Sequence, residues 1–435
     1  MTAAKRTERE LRRIVGDLAV GAYPEYIDGI LARTAAARQR PAWTFRERWL
    51  PMTDITRQRV LAPRLPLRAG IVALLLVALL LGAVLVAFVG RARPVVPAFG
   101  RAANGLVAYE TQGDIYTTDP ATGVATAIVS GPDDDLGPRF SRDGTHVVFE
   151  REAAGGTSQL LVVESDGRDL RLITPAPIVL APGDSGRAWE MYQFSPDGTS
   201  VAIATLTGGD RTITIAQTDG SGTRVLDVGM AASEPTFRPP DGRQILFVGD
   251  DGTVNGLFVV DAAGGKPRAI VTMSVNEPLA GASWSPDGSH IAYWSWDQGA
   301  DGMSAQTHVV AADGSGDRLL PSPAGAVWNA HATWSNDGTR IFIVRGFTPD
   351  TSDVRGWVVP ADGSGVGTEV SPAGTAETEC CGAWSWSPDD SQIIGRSTGL
   401  GGTAVRPFII DVAARTARPA PWTSTSDPSW QRIAP

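Results

Sequence analysis

The sequence predicts an all-β fold, a seven-bladed β-propeller, on three observations. An aromatic residue followed by Ser-Pro-Asp-Gly, or a close variant, recurs through residues 104–435. Each copy leads into alternating apolar and polar residues, and no helical periodicity separates the copies. Gly and Pro number 49 and 31 in 435 residues, a share suited to a chain of strands and tight turns.

The copies are FSRDG from Phe140, FSPDG from Phe194, FRPPDG from Phe237, WSPDG from Trp284, WSNDG from Trp334 and WSPDD from Trp386. A truncated copy, PSWQ, carries Trp430. The aromatic residues are spaced by 54, 43, 47, 50, 52 and 44 residues, the length of a four-stranded blade with variable loops. Within each unit the Asp-Gly pair supplies a tight hairpin, because Gly adopts positive φ without a Cβ clash. An alternating strand follows, as in HVVFE, SVAIA, QILFV, HIAYW and RIFIV. A third strand comes next (LLVVES, LFVVD, GWVVP), then in several units a second Asp-Gly turn and a short fourth strand.

Before Phe140 the stretches GLVAYE, DIYTTD and ATAIVS read as the last three strands of a blade lacking its first. The missing strand is PSWQRI at the other end of the chain, Pro428–Ile433. The two termini of the repeat region therefore complete one blade, which closes the ring and leaves no long unpaired edge. Seven blades result, with six as the alternative count.

The WSPDG units resemble the TolB-type, WD-repeat-like β-propeller repeat over about residues 104–435. That resemblance implies a rigid scaffold, used alike in binding proteins, periplasmic translocation partners and the gating domains of peptidases. Such a peptidase carries a hydrolase domain after its propeller, whereas this sequence ends at Pro435 and is expected to be a propeller without one. TolB has a small mixed domain before its propeller. Here a long apolar run stands in that place.

From Ala69 to Gly90, 22 residues carry no charge. As a helix this run is about 33 Å long, enough for a bilayer core of ~30 Å. It is preceded by 68 residues, too many for a cleavable signal, so an uncleaved single-pass anchor is expected. Arg48, Arg57, Arg59, Arg64 and Arg68 precede the run, against Arg91, Arg93 and Arg101 after it. This bias places the N-terminus in the cytoplasm and the propeller outside. The expected organisation is a cytoplasmic segment 1–68 with short helices, a span 69–90, a linker 91–103 and an extracytoplasmic propeller 104–435. Residues 1–68 carry 14 Lys and Arg against 7 Asp and Glu, and the rest carries 24 against 40. An acidic body excludes nucleic acid as its partner.

In the segment, Leu11, Ile14, Val15 and Leu18 form one helical stripe, and Tyr26, Ile27, Ile30 and Leu31 a second. A basic, aromatic stretch follows with Trp43 and Trp49, suited to a membrane interface. The layout also resembles single-pass anti-sigma regulators, which implies a sigma factor as a cytoplasmic partner. Residues 1–68 contain none of the His and Cys common in that family's zinc sites.

Catalytic motifs are missing from the sequence: there is no GxSxG elbow, and Gly264-Gly265-Lys266 lacks the remainder of a phosphate loop. None of the four histidines has a metal-ligand spacing, so no metal or other cofactor is expected. Calcium is the one exception considered, at the Asp297–Gly302 stretch, which lacks the final Glu of a calcium loop. Candidate binding residues instead gather on the loops that enter the innermost strands. These are Asp135 (after Asp133 and Asp134), Trp189, Glu190, Glu234, Glu277, Trp328, His331, Glu379, Trp384 and Asp427. Carboxylates converging on one mouth favour a cation, an amine or a basic peptide, and the indoles can stack on sugar rings or cations. Cys380 and Cys381 are adjacent, leaving either a strained vicinal disulfide or two free thiols. The expected function is a non-catalytic binding or sensory module that takes a protein or small molecule at the propeller mouth. The alternatives are a hydrolase- or lactonase-type ectoenzyme, or a structural partner in an envelope complex.

Overall fold

The computed structural model describes residues 99–434, except 154, 181–190, 275–276, 300–301, 349–352, 372–383 and 396–405, and not the side chains of 297–303. The expected span at 69–90 and the segment 1–68 lie outside these residues. Among the described residues no helix is long and apolar enough to cross a membrane.

Seven antiparallel sheets form the fold. The first blade runs outward from Ser429–Ile433 through Ala103–Thr111 and Asp114–Thr118 to Ala125–Val129. The two ends of the repeat region thus share one sheet, with Val107 opposite Trp430 and Asn104 opposite Arg432. The later blades follow in chain order, and their first strands are Asp135–Phe140, Tyr192–Phe194, Ala231–Phe237, Leu279–Trp284, Trp328–Trp334 and Trp384–Trp386. From the third blade round to the second, each first strand meets that of the next blade, so these strands surround the axis. The third blade differs from the simple repeat. Val179–Leu180 also pairs with its second strand, Ser200–Thr207, beyond the point where Tyr192–Phe194 stops.

Apolar residues on successive strands pack between blades. Ile115 and Ile128 of the first blade meet Val147 and Phe149 of the second. Tyr109 and Trp430 close the ring against Ile394, Ile409 and Trp422 of the seventh. Each fully buried Ile, Leu or Phe contributes about 1.5–3 kcal/mol, so ring closure is a large apolar term as well as a strand ladder.

The repeated turn explains why the motif recurs. In the fifth blade Ser285 Oγ donates to Asp287 Oδ1 at 2.6 Å, and the Ser289 amide donates to the same oxygen at 3.0 Å. Ser285 Oγ in turn accepts from the His290 amide at 2.9 Å, joining the turn to the second strand. The same bonds recur around Ser141, Ser195, Ser335 and Ser387. Gly288 has φ of 69°, and a Cβ there would lie 2.1 Å from the Pro239 carbonyl of the neighbouring blade. In the seventh blade Asp390 takes that glycine's place at φ 62°. Its carboxylate accepts from the Asn336 and Asp337 amides and from Arg101.

Candidate functional site

The first strands wall two cavities that share Arg142, Gln193, Pro239, Ser283 and Trp284. One, of about 250 Å³, is lined further by Glu234, Gly281, Thr333, Trp334, Asn336 and Trp384. The other, of about 340 Å³, extends towards Arg139, Ser195, Thr236, Trp430 and Arg432. Together they form an axial site with both signs of charge, several hydroxyls and amides, and aromatic walls.

A bulge in the first strands shapes this site. The register slips between Leu136 and Arg139, Ser233 and Thr236, Ala280 and Ser283, and Ala330 and Thr333. Gly137, Glu234, Gly281 and His331 sit at the slip, each with φ between 53° and 62° or, for Gly281, 63°. Glu234 and His331, two of the expected mouth residues, are therefore equivalent positions on two blades. Glu234 Oε2 accepts from the Gly281 amide at 2.8 Å, which ties the fourth blade to the fifth. His331 is buried, with its ring 5.5 Å from Trp294.

The other expected residues separate into distinct environments. Trp384 lines the axial cavity beside Glu234, and its ring packs on Phe342 at 5.2 Å. Asp135 is buried, held by Arg151 on the adjacent strand through bonds of 2.7 and 2.8 Å. Trp328 is 1% exposed and belongs to the core shared by the fifth, sixth and seventh blades. Its Nε1 donates to the Thr348 carbonyl at 3.3 Å. Glu277 is exposed and Asp427 half-buried. Trp189, Glu190, Glu379, Cys380 and Cys381 lie outside the described residues. The structure thus brings Glu234 and Trp384 to one cavity, while Asp135 and Trp328 serve the blades themselves.

Sequence reading missed the arginines of the axis. Arg139, Arg142 and Arg432 line one cavity. Burial and the neighbouring Arg432 bring the Arg142 guanidinium down to about 10. Arg432 is buried, donates to Asn336 Oδ1 and the Gly100 carbonyl, and is also pulled down by burial. The signal was present in the motif: FSRDG puts Arg142 where FSPDG has Pro196.

A second cluster lies within the fifth blade. Ser295 Oγ is 3.4 Å from His308 Nε2, and His308 Nδ1 is 3.4 Å from Asp317 Oδ1. Tyr293 stacks on the imidazole at 4.8 Å and donates to Asp317 Oδ2 at 2.9 Å. The order Ser-His-Asp is that of a nucleophile relay, with both links longer than good hydrogen bonds. Among the described residues no group of three or more His, Cys, Asp or Glu is placed to hold a metal ion.

Comparison with known proteins places this architecture in company. The TolB beta propeller domain matches residues 91–278 and, overlapping, 193–433. An oligogalacturonate lyase from Vibrio parahaemolyticus is 13% identical with a TM-score of 0.52, covering 74% of this chain and 90% of that one. A second oligogalacturonate lyase, solved with manganese, is 17% identical with a TM-score of 0.51, covering 69% and 82%. A periplasmic gluconolactonase from Pseudomonas aeruginosa is 16% identical with a TM-score of 0.51, covering 76% and 98%. At these identities the likeness is one of fold.

Proposed function

This chain belongs to the TolB β-propeller family, and from that premise we propose that it is a membrane-anchored binding or sensory module. In this reading residues 69–90 hold it in the cytoplasmic membrane, with 1–68 inside and the propeller outside. A small polar ligand, or the projecting end of a protein ligand, enters the axial site. Residues 1–68 carry the readout, to a sigma factor or another cytoplasmic regulator.

One observation carries the binding part of this reading. Arg142, Gln193, Glu234, Ser283, Trp334 and Trp384, from six blades, converge on one cavity at the axis. A concave site with a few convergent polar groups on a rigid frame is what small-molecule recognition needs. Thermal unfolding of the full chain in detergent, against a panel of amines, sugars and organic acids, tests it. Compounds that raise the midpoint are expected to lose their effect in Ser283→Phe, which fills the cavity. Shifts that persist in that variant place binding elsewhere and overturn the reading.

Ser295, His308 and Asp317 favour a second reading, an ectoenzyme of hydrolase type. Its test is hydrolysis of activated esters by the full chain: loss of turnover in Ser295→Ala supports it, and unchanged turnover refutes it.

A further inference from the structure

The blades are joined near their outer rims by one repeated bond. Five of them carry an arginine at the same position of the fourth strand. Arg171 stands opposite Val162, Arg224 opposite Ile215, Arg268 opposite Val259, Arg318 opposite Val309 and Arg418 opposite Ile409. Each crosses to the next blade and donates to a backbone carbonyl of the turn after that blade's third strand. The acceptors are Thr218 for Arg171 at 3.5 Å, Ala262 for Arg224, Ala312 for Arg268 at 3.0 Å, Ala361 for Arg318 at 2.7 Å and Pro120 for Arg418 at 3.0 Å. A long side chain with an apolar stem and a fork of donors suits such a seam.

The sixth blade breaks the pattern. Thr368 stands opposite Val358, in the arginine's place. The turn it faces in the seventh blade is built as the others are. The Val412 amide donates to the Ser391 carbonyl at 3.0 Å, as Ala312 does to Ser289 and Ala361 to Thr339. The Val412 carbonyl is therefore the acceptor that corresponds to Ala312 and Ala361, and the sixth blade has no arginine to offer it. A notch of about 650 Å³ opens at this seam. The first blade also has a threonine at this position, Thr126. There the Asp-Gly turn of the second blade closes the seam: a Cβ on Gly167 would lie 2.9 Å from the Ile128 carbonyl. The turn of the seventh blade reads Val412-Ala413-Ala414-Arg415, without a glycine to come so close.

We propose that this notch docks an arginine side chain presented by a partner protein, which takes the place that the chain's own arginines hold at the five other seams. The notch shares no lining residue with the axial cavities, so this inference stands apart from the axial-site reading. Val358, Val370 and Ala413 offer apolar contact to the stem, the Val412 carbonyl an acceptor, and Asp389 a carboxylate on the same wall. Arg101 and Arg340 also line the notch, but Asp337 and Asp390 hold the first, and the Asp390 carbonyl and the Trp386 ring the second. Arg415 is an exposed like charge on the lining.

Isothermal titration of the full chain in detergent with the peptide acetyl-Ala-Arg-Ala-amide tests the site. The peptide is expected to saturate one site at millimolar concentration. Its counterpart with citrulline, which keeps the shape and loses the charge, is expected to bind about ten- to a hundredfold more weakly, the effect of losing one charged donor. Thr368→Arg supplies the chain's own arginine and is expected to abolish binding of the peptide. Should that variant fail to fold, Ala413→Trp blocks the notch from an exposed turn position and is expected to do the same. Arg415→Ala removes the like charge and is expected to tighten binding, whereas a notch made for an anion would bind the peptide no better without it. Absence of saturation, equal binding of the citrulline peptide, or binding that survives the blocking substitution overturns the proposal.

Discussion

Removing the closing strand is the perturbation with the largest expected effect. A chain ending at Pro428 loses Ser429–Ile433, the innermost strand of the first blade. Trp430 is 6% exposed and packs with Val107, Tyr109, Ile394, Ile409 and Trp422 between the first and seventh blades. Loss of so large a buried side chain costs about 3–5 kcal/mol. Besides the bond from Arg432 to Asn336 Oδ1, four further bonds go with the strand. They are Phe140 amide to Ser429 Oγ at 3.0 Å, Leu106 amide to Gln431 Oε1 at 3.1 Å, Gln431 Nε2 to the Gly144 carbonyl at 2.8 Å, and Arg432 Nη2 to the Gly100 carbonyl at 2.6 Å. At about 1 kcal/mol each they bring the loss to roughly 7–9 kcal/mol, before counting the backbone ladder to Ala103–Thr111. Total stabilities of about 5–15 kcal/mol leave little after such a loss. Circular dichroism melting of the truncated chain should therefore show no cooperative propeller transition, or one far below that of the full chain. Trp430→Ala alone should lower the midpoint by several degrees. A truncated chain that melts within about a degree of the full chain would refute the closing role of this strand.

Three further outcomes follow from single sites. Gly281→Ala places a Cβ 2.4 Å from Trp294 Nε1 at φ 63°, beside the amide that Glu234 accepts from. It should cost about 1–3 kcal/mol or more in urea unfolding. Asp135→Ala removes both bonds to Arg151, leaving that guanidinium its 3.4 Å contact with Asp133, and should cost about 1–3 kcal/mol in the same assay. Asp337 sets the acid limit. Burial opposes its ionisation, but the Thr339 amide, the Ser335 and Thr339 hydroxyls and Arg101 outweigh it and hold the carboxyl at about 2. A folded-state value below the unfolded one stabilises the propeller above about pH 4, and that stability is lost as the pH falls towards 2. Urea unfolding between pH 5 and 2 should show a shallower acid decline in Asp337→Asn than in the parent chain.

Much of the fold was legible because each blade repeats its own instructions. The aromatic-Ser-Pro-Asp-Gly turn, the period-two strand after it and the orphaned strands at the two ends together specify seven blades and their closure. The extra pairing of Val179–Leu180 was not legible, since two residues carry no periodicity. The site was less visible for a physical reason. A carboxylate on a loop looks the same whether it faces solvent or a partner, and the partner is set by register. Asp135 meets Arg151 only because the two stand opposite each other on neighbouring strands. Glu234 reaches Gly281 only because both first strands bulge at equivalent places. Trp328 resembled a mouth residue by position, yet it fills the gap above Gly346, where a Cβ would lie 2.0 Å from its ring. Conversely, Arg142 and Arg432 depart from the motif at one fixed position, and alignment of the copies by that position brings them out.

Labelling of the two cysteines tests whether the chain is an outward-facing binding propeller on a membrane anchor. Cys380 and Cys381 are the chain's only cysteines and belong to the propeller repeats. After reduction with a membrane-impermeant phosphine, a membrane-impermeant maleimide is applied to intact spheroplasts and to permeabilised ones. An outward-facing propeller gives equal labelling in both. Labelling that appears only after permeabilisation would put the propeller inside and contradict it.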